Sequence, residues 1–165
     1  MKLILLTFCL LWAVSCSRVS PDGGGESSYR QFTIYSDGES QLIARGGVEK
    51  GQPQGSWFIV DNFGVKNAEL NFKFGTYNGS YILYYTSYTP DAAGDLKTKG
   101  NTSFGSFDGN YIRYNPDSSI LVQYTAQGGK VDSVISGGQT DAEQQLRADI
   151  SLLKAYREAI LEALR

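Results

Sequence analysis

The stretch GSWFIVDNFGVKNAELNFKF, residues 55–74, decides the fold. Ser56 to Asp61 is a short run of aromatic and β-branched residues, and Asn62-Phe63-Gly64 follows as a turn. From Asn67 to Phe74 the chain alternates: Ala68, Leu70, Phe72 and Phe74 fall on one face, Asn67, Glu69, Asn71 and Lys73 on the other. A period of two is the mark of a half-buried strand. The two runs therefore predict an antiparallel hairpin with one apolar face.

Outward from this hairpin the motif recurs. Gly55-Ser56-Trp57-Phe58-Ile59-Val60 matches Gly79-Ser80-Tyr81-Ile82-Leu83-Tyr84 and Gly109-Asn110-Tyr111-Ile112-Arg113-Tyr114, with starts 24 and 30 residues apart. Gln31 to Gly38 reads as an earlier, degenerate copy, with Phe32 in the Phe58 position. One such hairpin cannot bury its own apolar face, so neighbours must pair into one sheet. These residues resemble the degenerate MORN-like repeats of bacterial proteins, best at Gly51 to Trp57 and next at Phe107 to Tyr111. The middle copy departs from that pattern through an insertion, Thr89 to Asn101. The resemblance covers roughly residues 29–135 and implies an antiparallel meander used as a binding or structural surface.

Trp57, Tyr81 and Tyr111 occupy equivalent repeat positions, and two roles suit them. They either pack between neighbouring hairpins or form a ligand-facing strip for glycan or peptide. Residues 81–88 (YILYYTSY) are partly apolar on both faces, with Tyr81, Leu83 and Tyr85 on one and Ile82, Tyr84 and Tyr88 on the other. At least one of those faces requires a cover.

After Gly137-Gly138 the chain changes character. Residues 139–165 are rich in Ala, Leu, Glu, Gln and Arg, with neither Gly nor Pro. Thr140 with Glu143 reads as a capping box. Leu146, Ile150, Leu153, Ile160 and Leu164 then form one stripe, with Tyr156 and Leu161 beside it, which predicts an amphipathic helix. The stripe meets either its own sheet or, through a near-heptad at 146, 153 and 160, an envelope partner or a second copy. Asp149 interrupts the heptad. The expected fold is thus mainly β with a C-terminal helix (α+β): a meander of repeated hairpins over 29–136, then one long helix over 139–165.

Composition narrows the chemistry. The 165-residue chain has a formal net charge of -2, no histidine and two cysteines, Cys9 and Cys16. A weakly acidic chain without a basic run argues against nucleic-acid binding. Without histidine, and with one cysteine lying in the leader described next, no Ser-His-Asp triad, disulfide or Cys/His metal site is expected, and no cofactor is implied. Hydrolysis would fall to paired carboxylates among Asp61, Glu69, Asp91, Asp95, Asp108 and Asp117. Most of these occupy turn contexts that favour Asp for local backbone bonding.

The N-terminus supplies an address. Lys2 precedes an apolar run from Leu3 to Val14, too short to span a bilayer, which needs ~20 residues. Cys16 follows Ala13-Val14-Ser15 and resembles the lipobox of bacterial lipoproteins. That resemblance implies removal of residues 1–15, acylation of Cys16 and attachment to a membrane, with Ser17 leaning toward the outer one. Residues 16–28 would then be a lipidated cysteine and a Gly-, Ser- and Pro-containing tether. The leading expectation is a lipid-anchored, non-catalytic binding or structural module of the cell envelope. A lipocalin-like barrel carrying a small apolar ligand is the alternative, and a carboxylate-based glycan hydrolase is third.

Overall fold

A computed structural model of the chain describes residues 28–36, 40–86 and 92–165. The leader, Cys16, Tyr88 and Asp91 lie outside the described residues. The strands are β1 (Ser28–Ser36), β2 (Ser40–Glu49), β3 (Gln52–Asp61), β4 (Lys66–Lys73), β5 (Thr76–Tyr77), β6 (Gly79–Tyr84), β7 (Leu96–Ser103), β8 (Ser106–Phe107), β9 (Gly109–Tyr114), β10 (Ile120–Gln127) and β11 (Lys130–Ser136). Helix α1 covers Gln139–Ala163.

All eleven strands form one antiparallel sheet in the order β1-β2-β3-β4-β6-β7-β9-β10-β11, with short β5 on β4 and β8 on β7. This is the expected meander followed by one helix. The sheet is open: β1 and β11 are its two ends and do not pair. A lipocalin-like carrier needs that closure and an apolar interior, and here the inner face is filled by α1.

Alternation sorts the two faces. Trp57, Ile59, Ala68, Leu70, Tyr81, Leu83, Tyr111 and Tyr124 point inward and are buried, whereas Phe58, Val60, Ile82, Tyr84 and Ile112 lie on the opposite, outer face and are half-buried. The helix closes the inner face with Ala142, Leu146, Asp149, Leu153, Tyr156 and Ile160, an alternating four-three spacing. Leu146, Leu153 and Ile160 each contribute about 1.5–3 kcal/mol by leaving water. The apolar stripe therefore faces the chain's own sheet, and the near-heptad is used internally.

The length of α1 suits its task. Its 25 residues extend ~37 Å, close to the ~38 Å covered by nine strands. It crosses the strands from the β10–β11 end, where Ile150 lies near Gly129, to the β1 end, where Ala163 and Leu164 line one cavity with Ser28 and Lys50. Its N-cap is Gly138, with no side-chain cap bond. The expected Thr140–Glu143 capping box does not form, because the N-cap lies two residues earlier, at Gly138, and Gln139 bonds Glu143 instead.

The first repeat also differs from its reading. Phe32 stacks on Trp57 with ring centroids 6.2 Å apart, so it belongs to the inner face and is not the counterpart of outward-facing Phe58. Phe74 leaves the apolar face of its strand as well, because β4 ends at Lys73 and Phe74 enters a turn.

Candidate functional site

Each of the three Gly-x-aromatic starts, Gly55, Gly79 and Gly109, lies four residues after the second-position glycine of a tight turn. Four two-residue hairpins, Lys50-Gly51, Phe74-Gly75, Phe104-Gly105 and Gly128-Gly129, join paired strands along one edge of the molecule. Both central residues have positive φ in every case: 50° and 74°, 51° and 73°, 47° and 84°, 60° and 76°. Such geometry belongs to the type I′ turn, which matches strand twist and selects Gly, Asn or Asp. The second glycines, at 51, 75, 105 and 129, repeat every 24, 30 and 24 residues.

Each of the last three turns is bonded to the segment that follows the turn before it. The amides of Gly75, Gly105 and Gly129 donate to the carbonyls of Pro53, Tyr77 and Phe107 at 3.1, 2.8 and 3.1 Å. The amides of Phe74, Phe104 and Gly128 donate to the side chains of Gln54, Asn78 and Asp108 at 2.8, 3.2 and 2.7 Å. The turns thus form a fixed row. Two bulky side chains stand out from it: Phe74 is 66% exposed and Phe104 70% exposed, with the Lys73 ammonium 5.8 and 5.7 Å from their ring centres.

The inner face answers the question of the repeat aromatics. Trp57, Tyr81 and Tyr111 are buried beneath α1 and present no ring to solvent. They continue a file of aromatic contacts in which Trp57 meets Phe32 and Phe72, Tyr81 meets Phe107, and Tyr111 stacks on Tyr124 at 5.2 Å. Packing is their role, and the ligand-facing alternative is set aside. Their register requires glycine opposite: Trp57 pairs with Gly46, and Tyr81 with Gly100, which also lies under the Tyr111 ring.

One carboxylate lies within this core. Asp149, 2% exposed, accepts a hydrogen bond of 2.9 Å from the Tyr81 hydroxyl. Burial raises its pKa to about 6, opposed by the Tyr81 bond and by the charges of Arg113 and Lys97. Burial, then the nearby Asp149 charge, pushes Tyr124 upward, and its hydroxyl has no protein partner. Lys97 is held below the usual lysine range, first by burial and then by Arg113. The sequence showed Asp149 only as a break in an apolar heptad.

The other carboxylates are spread through the molecule. Asp61 bonds the amides of Phe63 and Val65, both at 2.9 Å, in the β3–β4 turn. Asp117 bonds the Ser119 amide at 3.0 Å and its hydroxyl at 2.6 Å, and Asp108 bonds Gly128 as described. Glu69 lies on the outer face, 2.7 Å from the Lys66 ammonium and 2.6 Å from the Tyr84 hydroxyl. Those two bonds hold Glu69 below the usual carboxylate range, and burial with the Glu69 bond pushes Tyr84 up to about 12. Lys66 also lies 5.8 Å from the Phe58 ring centre and 5.2 Å from that of Tyr84, and Arg45 lies 5.9 Å from Phe58. The outer face thus carries an interleaved strip of aromatic and charged groups, Arg45-Phe58-Lys66-Tyr84-Glu69.

No family model, curated protein or solved structure matches the chain. The likenesses to bacterial lipoproteins and to MORN-like repeats rest on the residues quoted above.

Proposed function

We propose that the protein is a lipid-anchored module of the bacterial cell envelope, acting by binding or by structural support and not by catalysis. The observation that carries this reading is Cys16, placed after Ala13-Val14-Ser15 at the end of a 12-residue apolar run. Two or more acyl chains on that cysteine would hold the domain stably, because each buried methylene contributes ~0.8 kcal/mol. The domain itself suits display. Its inner face is filled by its own helix, while no element among the described residues covers the outer face or the turn row. The bonds that tie Asp61, Asp108 and Asp117 to turn amides support a structural role for those carboxylates.

Expression with the leader in a bacterial host, followed by membrane fractionation, tests the anchor. Wild type is expected in the membrane pellet after a high-salt wash, and Cys16→Ser in the soluble envelope fraction or retained as uncleaved precursor. Equal behaviour of the two proteins would remove the anchoring reading.

A further inference from the structure

The turn row carries two features that folding alone does not explain. Phe74 and Phe104 sit at positive φ, 51° and 47°, where a bulky side chain is strained by about 1–2 kcal/mol and Asn or Gly would be at ease. Both rings nevertheless stand largely in solvent, and neighbouring turns at the same level carry Lys50 and Gly128. Strained, exposed and apolar side chains in a fixed array point to contact with something apolar.

The path of the chain says what that something is. Ser28, the first described residue, pairs with Val48 beside the Lys50-Gly51 turn, so the chain enters the sheet at the turn-row end. The twelve residues 16–27 lie before it, and a chain of that length reaches at most ~40 Å. The Phe74 turn is three strands away from β1, ~15 Å, well within reach. Strands β2 and β3 have ten residues each, so the opposite end of the sheet lies ~33 Å further off. Bringing that end to the membrane would stretch the tether to nearly its full ~40 Å.

We infer that the turn row is the face on which the domain rests against the phospholipid bilayer holding its anchor. Phe74 and Phe104 enter the boundary between headgroups and acyl chains, and Lys73 between them extends its ammonium to the phosphates. Glu49 and Asp108 lie at the same end, so the contact depends on the rings more than on net charge. The sheet then stands on edge, with its outer face turned sideways to the envelope space. This inference rests on acylation of Cys16.

The test uses the mature, acylated full chain. Cys9 leaves with the leader and acylation consumes Cys16, so an introduced cysteine is the sole free thiol. Phe104→Cys, Phe74→Cys and, at the opposite end, Phe63→Cys are each labelled with an environment-sensitive fluorophore. The proteins are reconstituted into phosphatidylethanolamine–phosphatidylglycerol vesicles with or without a headgroup-proximal lipid quencher. Labels at 104 and 74 are expected to shift to the blue and to be quenched several-fold more than the label at 63. Either of the two positions suffices if the other variant folds poorly. Labels at 104 and 74 that match the label at 63, in protein that floats with the vesicles, would overturn the inference and leave the anchor standing. Wild type that fails to float removes the anchor and the inference together. A blue shift in detergent alone that grows with protein concentration would assign the row to a second copy and overturn the bilayer contact.

Discussion

Asp149 is the residue whose environment makes the sharpest prediction. Its carboxyl ionises near 3.8 in the unfolded chain and about 6 in the folded one. Between those values the folded state holds the proton more tightly, so this group favours folding most below pH 4, and that contribution is lost as pH rises through 6. A shift of about two units corresponds to about 3 kcal/mol. Asp149→Asn keeps an acceptor for Tyr81 without a charge to bury. Urea unfolding should find it more stable than wild type at pH 8 by up to about 3 kcal/mol, with the difference fading by pH 4. A difference that does not change with pH would contradict the burial argument.

Gly100 inverts the usual rule at the same scale. Gly→Ala inside a strand ordinarily stabilises by roughly 0.5–1 kcal/mol. Here an added Cβ would lie 2.5 Å from the Tyr111 ring and 2.6 Å from that of Tyr81, both enclosed beneath α1. Overpacking of this kind costs about 1–3 kcal/mol, so Gly100→Ala should lower the denaturation midpoint. Phe104→Asn should raise the unfolding free energy by about 1 kcal/mol, because Asn tolerates the turn's positive φ. That variant should weaken the proposed bilayer contact while strengthening the fold, a separation that a misplaced core residue would not show.

At the scale of elements, the strands and the Asn62-Phe63-Gly64 turn were legible, whereas the tight turns of the row were not. Ala68, Leu70 and Phe72 alternate with polar neighbours and fall on the buried face as their period requires. Phe74 follows the same period, yet it leaves the strand because the tight Phe74-Gly75 turn intervenes. Periodicity carries no information about where a strand stops, and a phenylalanine is a poor turn signal. The helix was legible from its composition and its stripe, but its N-cap was not, since Gly138 competes with Thr140 and the sheet decides where the helix docks. What the stripe meets was also undecided in the sequence. Its contact with the sheet makes α1 part of the core, so Leu153→Ala should cost about 2–5 kcal/mol. Thermal unfolding by circular dichroism should then show strand and helix signals melting together. Loss of the helix signal ahead of the sheet would mean that α1 is an appendage.

For the molecule as a whole, the architecture allots its surfaces. One helix nearly as long as the sheet is wide covers a single face, which leaves an outer face with Phe58 and Tyr84 among charged groups and an edge with Phe74 and Phe104. The repeat aromatics offered as a ligand strip lie under the helix. Only their spacing was visible in the sequence, and spacing does not say which face a helix will cover. The turn row could have been found from Gly51, Gly75, Gly105 and Gly129, the first three of which precede the Gly-x-aromatic starts by four residues and share their 24- and 30-residue spacing. Cys16 stands apart from all of this, read from the leader alone and joined to the fold by the chain's entry at Ser28.

Attachment at Cys16 is the claim on which function and orientation both depend. Mass spectrometry of the N-terminal peptide, from protein expressed with its leader in a bacterial host and extracted from membranes, measures it directly. The expected peptide begins at Cys16 and carries the mass of a diacylglyceryl group, with or without a third acyl chain. An N-terminus elsewhere, or an unmodified Cys16, would contradict it.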